Sequence, residues 1–350
     1  MNDPAALPAA ASVGAPRRPD GRFRNVVPRR GMGLAKTLGL MWRVMTDKPK
    51  TTVPHRPLPL HTLTRAEIDA TVEDSLWRLG HSTVLLKLDG RCWITDPVFA
   101  ERASPFRWIG PKRFHAPPIA VDDVPPLAGV ILSHDHYDHL DRAAILRLAP
   151  KVGAFVTPLG VGDRLIAWGV DAAKVRQLDW WQSVEVDGLR LSAGPARHFS
   201  GRTPWDADRT LWVSWSLDTG RHKIFFSGDG GYQDGFKEIG ERYGPFDVAL
   251  IENGAYNTDW PEVHMQPEET LQAFRDVRAR WLVPVHNGTF DLALHPWYEP
   301  FERLAALARD GGVDVATPMM GERLSLAAPR SGAPWWRRAM DGVGLNRTPG

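Results

Sequence analysis

The sequence of 350 residues predicts an α/β fold in which two β-sheets pack face to face, with helices on their outer surfaces. In each half of the chain, short apolar segments separated by turn residues come first, and segments of helical periodicity come later. Apolar residues make up 43% of the chain and charged residues 24%, which is typical of a globular protein and not of a disordered or membrane-spanning one.

The first half of the chain carries five predicted strands and one helix. Strands are predicted at 76–79, 83–88 and 91–95, and Asp89-Gly90 between the last two is a strong signal for a hairpin turn. The apolar run 130–132 is predicted as a buried strand. Asp141 is expected to cap a helix that ends at Leu148, and a further strand covers 154–157.

The second half shows the same alternation, although the sequence itself contains no internal repeat. Strands are predicted on either side of the turn Asp187-Gly188 and at four later positions, namely 184–186, 189–192, 211–217, 223–227, 247–252 and 281–285. The segment 267–278, between the last two strands, has the pattern of a helix.

Composition divides the chain into three parts. Residues 1–55 form a basic arm, since the first 50 residues hold ten Lys or Arg and three Asp. Residues 1 to about 30 are rich in Pro, Ala, Gly and Arg and are predicted to be disordered. Residues 56–327 are predicted to form the folded domain, and residues 328–350 a loose basic tail.

Residues 32–46 of the arm are predicted to form a short amphipathic helix. Helical spacing separates an apolar face from a basic one, formed respectively by Leu34, Leu38, Met41 and Met45 and by Lys36 and Arg43. Two interpretations are open: an anchor that lies in a membrane interface, or a helix that docks on the protein's own surface.

Cysteine usage and apolar run lengths bear on the compartment. Cys92 is the single cysteine, so neither an intramolecular disulfide nor a thiolate zinc site is expected. No run of about 18 apolar residues predicts a transmembrane helix, and the N-terminus lacks the pattern of a signal peptide. The expected location is the cytoplasm, either free or peripheral at the membrane surface.

A histidine-rich motif follows the buried strand that ends at Leu132. His134, His136, Asp138 and His139 form the pattern H-x-H-x-D-H, which holds three of the chain's twelve histidines. Because a strand followed by a tight turn splays neighbouring side chains, alternate histidines can converge on one ion while the last two ligands turn toward a second. Imidazoles with an occasional carboxylate are the ligands that zinc prefers. The alternative, a polar loop with a chance cluster, is disfavoured by the density of the motif.

Three further residues of the metal-binding type follow predicted strands. His198 comes after strand 189–192, Asp229 after strand 223–227, and His286 directly after strand 281–285. The carboxyl ends of strands are where sheets place functional groups. Singly, each is compatible with an ordinary loop residue, but together with the motif they predict a dinuclear site.

The chain resembles the metallo-β-lactamase superfamily, and within it the branch that contains N-acyl-phosphatidylethanolamine-hydrolysing phospholipase D. The resemblance runs from about Ser75 to Arg323 and implies a four-layer αββα sandwich. Besides the histidine motif, it rests on the segments 80–83, 95–99, 179–181, 200–203, 227–232, 267–269 and 286–290.

The resemblance also implies roles for individual residues. One zinc would be held by His134, His136 and His198, the other by Asp138, His139 and His286, and Asp229 would bridge them. Asp96 would orient a ligand imidazole from beneath the metals. His264, just before the helix start Pro267-Glu268-Glu269, would lie near the scissile phosphate as a catalytic and substrate-binding residue; the alternative is a surface histidine at a helix start. The role of His81 is left open.

The identity of the metal can be argued at one position. Flavo-diiron proteins resemble this motif but carry a glutamate where this chain has His136. An imidazole there favours two zinc ions per chain, with another divalent transition metal as the alternative.

The leading functional hypothesis is a dinuclear zinc hydrolase that uses a metal-held hydroxide on a phosphodiester, of phospholipase D type, with N-acyl-phosphatidylethanolamine or a related phospholipid as substrate. One alternative is a lactonase or sugar-phosphate hydrolase acting on a soluble substrate. A second is a non-catalytic, metal-stabilised binding protein at the membrane surface. Nucleic acid is not an expected partner, because the region outside the arm is slightly acidic. The oligomeric state is not predicted.

Overall fold

A computed structural model describes residues 14–29, 33, 39, 42–43 and 46–340. One mixed sheet is formed by β1 (Ser75–Gly80), β2 (Thr83–Leu88), β3 (Arg91–Thr95), β4 (Leu127–Ile131), β5 (Val152–Pro158), β6 (Val175–Leu178) and β13 (Arg323–Ser325). Its strand order is β13-β1-β2-β3-β4-β5-β6. Strands β3 to β6 are parallel to one another, whereas β13, β1, β2 and β3 pair antiparallel.

A second mixed sheet contains β7 (Ser183–Val186), β8 (Leu189–Pro195), β9 (Val213–Asp218), β10 (Lys223–Phe226), β11 (Phe246–Glu252) and β12 (Ala279–Val285). Its order is β12-β11-β10-β9-β8-β7, and β10, β11 and β12 are parallel. As predicted, Asp89-Gly90 closes the β2–β3 hairpin, and both residues have positive φ, at 47° and 77°.

The helices are α1 (Arg65–Ala70), α2 (Arg142–Leu148), α3 (Val161–Ala167), α4 (Gly235–Arg242), α5 (Pro267–Asp276), α6 (Glu299–Asp310) and α7 (Trp336–Met340). Short 3-10 turns cover Lys50–Thr52, Ala149–Lys151 and Ala172–Lys174. Helix α2 begins where predicted, because the Asp141 carboxylate accepts hydrogen bonds from the backbone N–H groups of Ala143 and Ala144. Helix α5 has Pro267 in its first turn.

Three apolar clusters define four layers. The central cluster joins the inner faces of the two sheets, with Leu86 from one and Leu217 and Phe226 from the other. Another packs the first sheet against α1, α2 and α3, and a third packs the second sheet against α4, α5 and α6. Along β2, side chains alternate between the central cluster and the helical side, as the pleat of a strand requires. The predicted α/β fold of two face-to-face sheets with helices outside is confirmed.

The N-terminal arm differs from its prediction. Residues 14–29 are not disordered, because they pack onto the second sheet and its loops. Phe23 is 1% exposed, and its backbone N–H donates to the carbonyl oxygen of Asp208 at 2.8 Å. The N–H of Ala15 donates to the Asp179 carboxylate at 2.8 Å. The arm is therefore folded against the domain over this part of its length.

Two other predictions concern the chain ends. Most of the amphipathic segment 32–46 lies outside the described residues, and so do its apolar residues Leu34, Leu38, Met41 and Met45. The tail was predicted to be loose, yet up to residue 340 it is packed, because Trp335 and Trp336 bury their rings against Phe301. Among the described residues, no helix combines the length and apolar character needed to cross a bilayer.

Candidate metal centre

The histidine motif lies in a turn between β4 and α2. The carbonyl oxygen of His136 accepts hydrogen bonds from the backbone N–H groups of His139 and Leu140, at 3.1 and 2.8 Å. The chain then enters α2 with Asp141 as its cap. The turn thus directs four candidate ligands into the space where the carboxyl ends of the strands meet.

The first group of candidate ligands is formed by three imidazoles. His136 Nδ1 lies 2.9 Å from His134 Nε2 and 3.2 Å from His198 Nε2. Nitrogens that share one tetrahedral zinc ion are separated by roughly 3.3 Å, given zinc–nitrogen distances of about 2.0–2.1 Å. The structure therefore brings together the three residues that the resemblance assigns to one ion.

The second group surrounds Asp229. Its Oδ2 atom lies 3.0 Å from His139 Nε2 and 2.9 Å from His286 Nε2. The same oxygen lies 3.9 Å from both His134 Nε2 and His198 Nε2. Asp229 therefore stands between the two groups, at the position expected for a bridging carboxylate.

Asp138 completes the second group. Its Oδ2 atom lies 3.5 Å from His286 Nε2 and 3.7 Å from His139 Nε2. Its side chain is 15% exposed, whereas those of both histidines are fully buried. The seven candidate ligands therefore form two adjacent groups that meet at Asp229.

Backbone conformation helps to bring these side chains together. Gly228, just before Asp229, has φ of +58°, and a Cβ there would lie 2.7 Å from the Cβ of Ser133. A glycine is therefore required where the Asp229 loop passes the histidine motif. His286 has φ of 62°, a left-handed conformation that is uncommon for residues other than glycine and costs free energy.

Asp96 lies beneath the site, as the resemblance implies. Its fully buried carboxylate lies 2.7 Å from His139 Nδ1 and accepts hydrogen bonds from the N–H and hydroxyl of Ser133, at 2.7 and 2.5 Å. The Asp96 oxygens thus hold the His139 ring and the start of the histidine motif in place. The Nε2 atom of His139 then faces Asp229.

His81, whose role the sequence left open, is part of the site. Its Nε2 atom lies 3.1 Å from Asp138 Oδ2, and its ring centroid is 3.9 Å from that of His286. Burial lowers the pKa of His81 to about 3, so the ring is neutral. The side chain holds the Asp138 carboxylate and is itself a candidate metal ligand, within a group that also contains His139.

His264 lies beside the seven candidate ligands. Its ring centroid is 4.8 Å from that of His286 and 5.5 Å from that of His198. Sequence reasoning missed its partner, Glu252, whose carboxylate lies 2.7 Å from His264 Nδ1. Glu252 ends β11, so the rule that selected Asp229 and His286 from strand ends would have selected it too.

Asn25 from the N-terminal arm was also missed. Its side-chain amide donates to the carbonyl oxygen of His198 at 2.8 Å and accepts from the N–H of the same residue at 3.0 Å. The indole N–H of Trp212 donates to the same amide oxygen at 3.0 Å. Asn25 is 7% exposed, so the arm fixes the backbone of a candidate ligand from within the core.

The charges of the site fit a divalent cation. Burial alone would lower the pKa of His139, yet Asp229 and Asp138 outweigh it and raise that pKa well above the usual value. His286 shows the same balance, with a pKa raised to about 9. Among the described residues, Asp229 Oδ1 is a buried carboxylate oxygen without a hydrogen-bond partner. Buried carboxylates and unpartnered ligand atoms are what a bound cation would satisfy.

Comparison with known proteins shows the family of the chain. Residues 91–287 match the family model described as the beta-lactamase superfamily domain. An uncharacterized protein of Mycobacterium tuberculosis is 44% identical over 345 residues, covering 95% of this chain and 92% of that protein. N-acyl-phosphatidylethanolamine-hydrolyzing phospholipase D 1 of Caenorhabditis elegans is 37% identical over 285 residues, covering 76% of this chain and 79% of that enzyme.

Solved structures show the same fold. A metallo hydrolase of the archaeon Ignicoccus hospitalis superposes with a TM-score of 0.54 at 22% identity, over 72% of this chain and 97% of that one. The protein is a metal-dependent hydrolase of the metallo-β-lactamase superfamily, and within it belongs to the branch that contains N-acyl-phosphatidylethanolamine-hydrolysing phospholipase D.

Proposed function

We propose that the protein is a dinuclear zinc phosphodiesterase of phospholipase D type, acting on N-acyl-phosphatidylethanolamine or a related phospholipid. The observation that carries the proposal is the position of Asp229, whose Oδ2 atom lies between 2.9 and 3.9 Å from four imidazole nitrogens in two groups. Named relatives support the substrate class: besides the nematode enzyme, the mitochondrial enzyme of Saccharomyces cerevisiae is 33% identical over 73% of this chain and 58% of its own length.

Residues would divide between the two ions as the resemblance implies. His134, His136 and His198 would hold one ion; the other would be held by Asp138, His139 and His286. Asp229 would contact both ions. When bound, such a pair activates water toward a phosphorus centre and offsets charge on the non-bridging oxygens.

His264 would supply the proton that the leaving group needs. Glu252 accepts the Nδ1 proton, so a second proton on Nε2 makes the ring an imidazolium that can donate from Nε2 toward the substrate. The water oxygen forms the new bond to phosphorus, the bond from phosphorus to the ethanolamine oxygen breaks, and that oxygen takes the proton from Nε2. The proton that the water loses returns His264 to its doubly protonated form. The products are a phosphatidic acid and an N-acylethanolamine.

Arg29 is our candidate for a contact to the phosphate. Its guanidinium carbon lies 4.5 Å from the Phe199 ring centroid, and Phe199 in turn lies 4.5 Å from the His136 ring centroid. Arg29 also pairs with Asp208 at 3.7 Å, and a cation on the Phe199 side of the site suits an anionic diester. The site would thus combine a cationic arm residue with the metal pair.

The test joins metal analysis to substrate profiling of the full-length protein. We expect about two zinc ions per chain and hydrolysis of N-acyl-phosphatidylethanolamine in mixed micelles. His136→Ala and Asp229→Asn should abolish turnover, whereas His55→Ala, an exposed histidine outside the site, should not change it. Full activity in either site variant would disprove the catalytic assignment. Hydrolysis of lactones with no action on phosphodiesters would favour the soluble-substrate alternative.

A further inference from the structure

A hairpin beside the metal-binding motif presents bulky apolar side chains to solvent. Residues 101–113 form this hairpin, which is closed by an antiparallel bridge between Arg102 and Lys112. At its tip Phe106, Trp108 and Ile109 are 52%, 75% and 52% exposed. The rings of Phe106 and Trp108 lie against each other, with centroids 5.4 Å apart. The tip is therefore an ordered aromatic cluster without a cover among the described residues.

The base of the hairpin is fixed to the catalytic region. Backbone N–H groups of Phe99 and Ala100 donate to Asp141 Oδ2 at 3.1 and 2.9 Å, and Asp141 is also the cap of α2. On the other strand of the hairpin, the buried Arg113 donates to the carbonyl oxygen of Val98 at 2.9 Å. Exposure of the tip is thus built into the fold and does not come from a poorly anchored loop.

A second loop exposes another tryptophan. Trp205 is 75% exposed and lies in the loop 201–209. This loop is fixed by Asp206, whose carboxylate accepts hydrogen bonds from the N–H groups of Arg202 and Thr203, at 3.0 and 2.7 Å. Arg164 pairs with the same carboxylate at 2.9 Å.

The two loops border one cleft of about 1000 Å³. Its lining residues include Phe106 and Arg107 of the hairpin, Thr203 of the Trp205 loop, and Tyr137. Tyr137 stands between two candidate metal ligands in the sequence. None of the seven candidate ligands lines the cleft, so it is not the reaction pocket itself. Both exposed loops therefore flank the same opening, next to the catalytic motif.

Two exposed arginines belong to the same surface as these aromatic residues. Arg107 lies between Phe106 and Trp108 in the sequence and is exposed, and Arg142, also exposed, lines the cleft. Tryptophan and other large apolar side chains flanked by arginines are typical of surfaces that insert into the headgroup region of a bilayer and pair with anionic lipids.

We propose that the hairpin tip and the Trp205 loop form a docking surface for an anionic phospholipid bilayer. The choice of a bilayer over a protein partner rests on the proposed phospholipid activity. The inference that this surface binds a partner rests on its exposed aromatic side chains and its arginines. Docking here would place the catalytic motif next to the headgroups from which the substrate comes. The residues of this surface are different from those of the segment 32–46 in the sequence.

The test is cosedimentation of the full-length protein with vesicles of phosphatidylglycerol and phosphatidylcholine. We expect the double variant Trp108→Gln, Trp205→Gln to bind at least about ten-fold more weakly than the wild type, because both rings leave the interface. Arg107→Gln should weaken binding too, and added salt should weaken that of the wild type. The matched control is Val72→Gln, since Val72 is 92% exposed but belongs to neither the hairpin 101–113 nor the loop 201–209.

Equal vesicle binding by the wild type and the double variant would overturn the proposal. So would a wild-type dimer that the double substitution dissociates, because the surface would then be a contact between two copies. Hydrolysis of detergent-dispersed substrate separates this inference from the proposed function. If the wild type hydrolyses this substrate but binds vesicles no better than the double variant, the docking surface alone is rejected. If the wild type binds vesicles better than the double variant but cleaves no phosphodiester, the docking surface is supported and the proposed function is rejected.

Discussion

His264 and Glu252 form a hydrogen-bonded pair in which Nδ1 of the imidazole lies 2.7 Å from Oε2 of the carboxylate. The other carboxylate oxygen accepts the backbone N–H of Met265 at 2.6 Å. Glu252 is completely buried, whereas the His264 side chain is 13% exposed. Because the carboxylate has no freedom to move, it sets both the ring orientation and the nitrogen that carries the proton.

Glu252→Gln is expected to lower kcat by about 10- to 100-fold with little change in KM. The N–H of Met265 would keep the amide oxygen, so the amide NH2 group would face Nδ1 of His264 and reverse the tautomer of the ring. Steady-state kinetics on a phospholipid diester, with metal content measured in parallel, checks this outcome.

The control for this substitution is Glu268→Gln, which alters an exposed carboxylate at the start of α5 that pairs with Arg303. It should leave kcat unchanged. In a His264→Ala background, Glu252→Gln should cause no further loss, because both act through one imidazole. Additive losses in the double variant would show that Glu252 acts independently of His264.

The Asn25 side chain predicts a role for the N-terminal arm in metal binding. Asn25→Ala would leave the buried N–H and carbonyl groups of His198 unpaired, at a cost of about 2 kcal/mol or more. We expect a lower melting temperature and weaker retention of metal during dialysis. Deletion of residues 1–13 keeps Asn25 and should have neither effect, whereas deletion of residues 1–50 should have both. Unchanged metal retention after the longer deletion would contradict this role.

Sequence reasoning identified the candidate ligands because each follows an apolar strand, and a strand is a local pattern. It missed Asn25 because the contact joins residues 173 positions apart, and the arm has no periodicity to indicate order. The role of His81 could not be predicted because its position depends on a contact between distant loops. His81 forms an antiparallel β-bridge with Asn287. Helices α3, α4 and α6 also went unpredicted, although α4 and α6 show the helical spacing of apolar residues that they bury against the second sheet.

Asp96→Asn is expected to weaken metal affinity by about 10- to 100-fold. An amide retains one acceptor oxygen, yet Asp96 serves His139 Nδ1 and both donor groups of Ser133. Competition with a chromogenic chelator measures the change. The exposed Asp123→Asn serves as the control and should bind metal as the wild type does. If Asp96→Asn and Asp123→Asn bound the metal with equal affinity, the contact between His139 and Asp96 would not contribute to metal binding.

Removal of the metal is expected to lower the melting temperature. Without an ion, three imidazole nitrogens of the first group face one another at 2.9 and 3.2 Å. A ligand that binds only the folded state stabilises it, so chelation should remove that stabilisation and added zinc should restore it. Calorimetry with and without a chelator checks this, and the shift should be smaller in His136→Ala. An identical shift in that variant would place the stabilising ion elsewhere.

Cys92 is expected to resist thiol reagents in the folded protein. Burial raises the pKa of its thiol to about 11, so at pH 8 the thiolate is scarcer than in an unfolded chain by about 100-fold. Labelling with a chromogenic disulfide should therefore be slow in buffer, modify one thiol per chain in denaturant, and be absent in Cys92→Ser. Because the pKa of the thiol lies above pH 10, the thiolate fraction rises about ten-fold per pH unit between pH 8 and 10. The labelling rate of the folded protein should rise by the same factor. Rapid labelling at pH 8 without denaturant would show that β3 opens to solvent on that timescale, since the side chain is 7% exposed when the strand is closed.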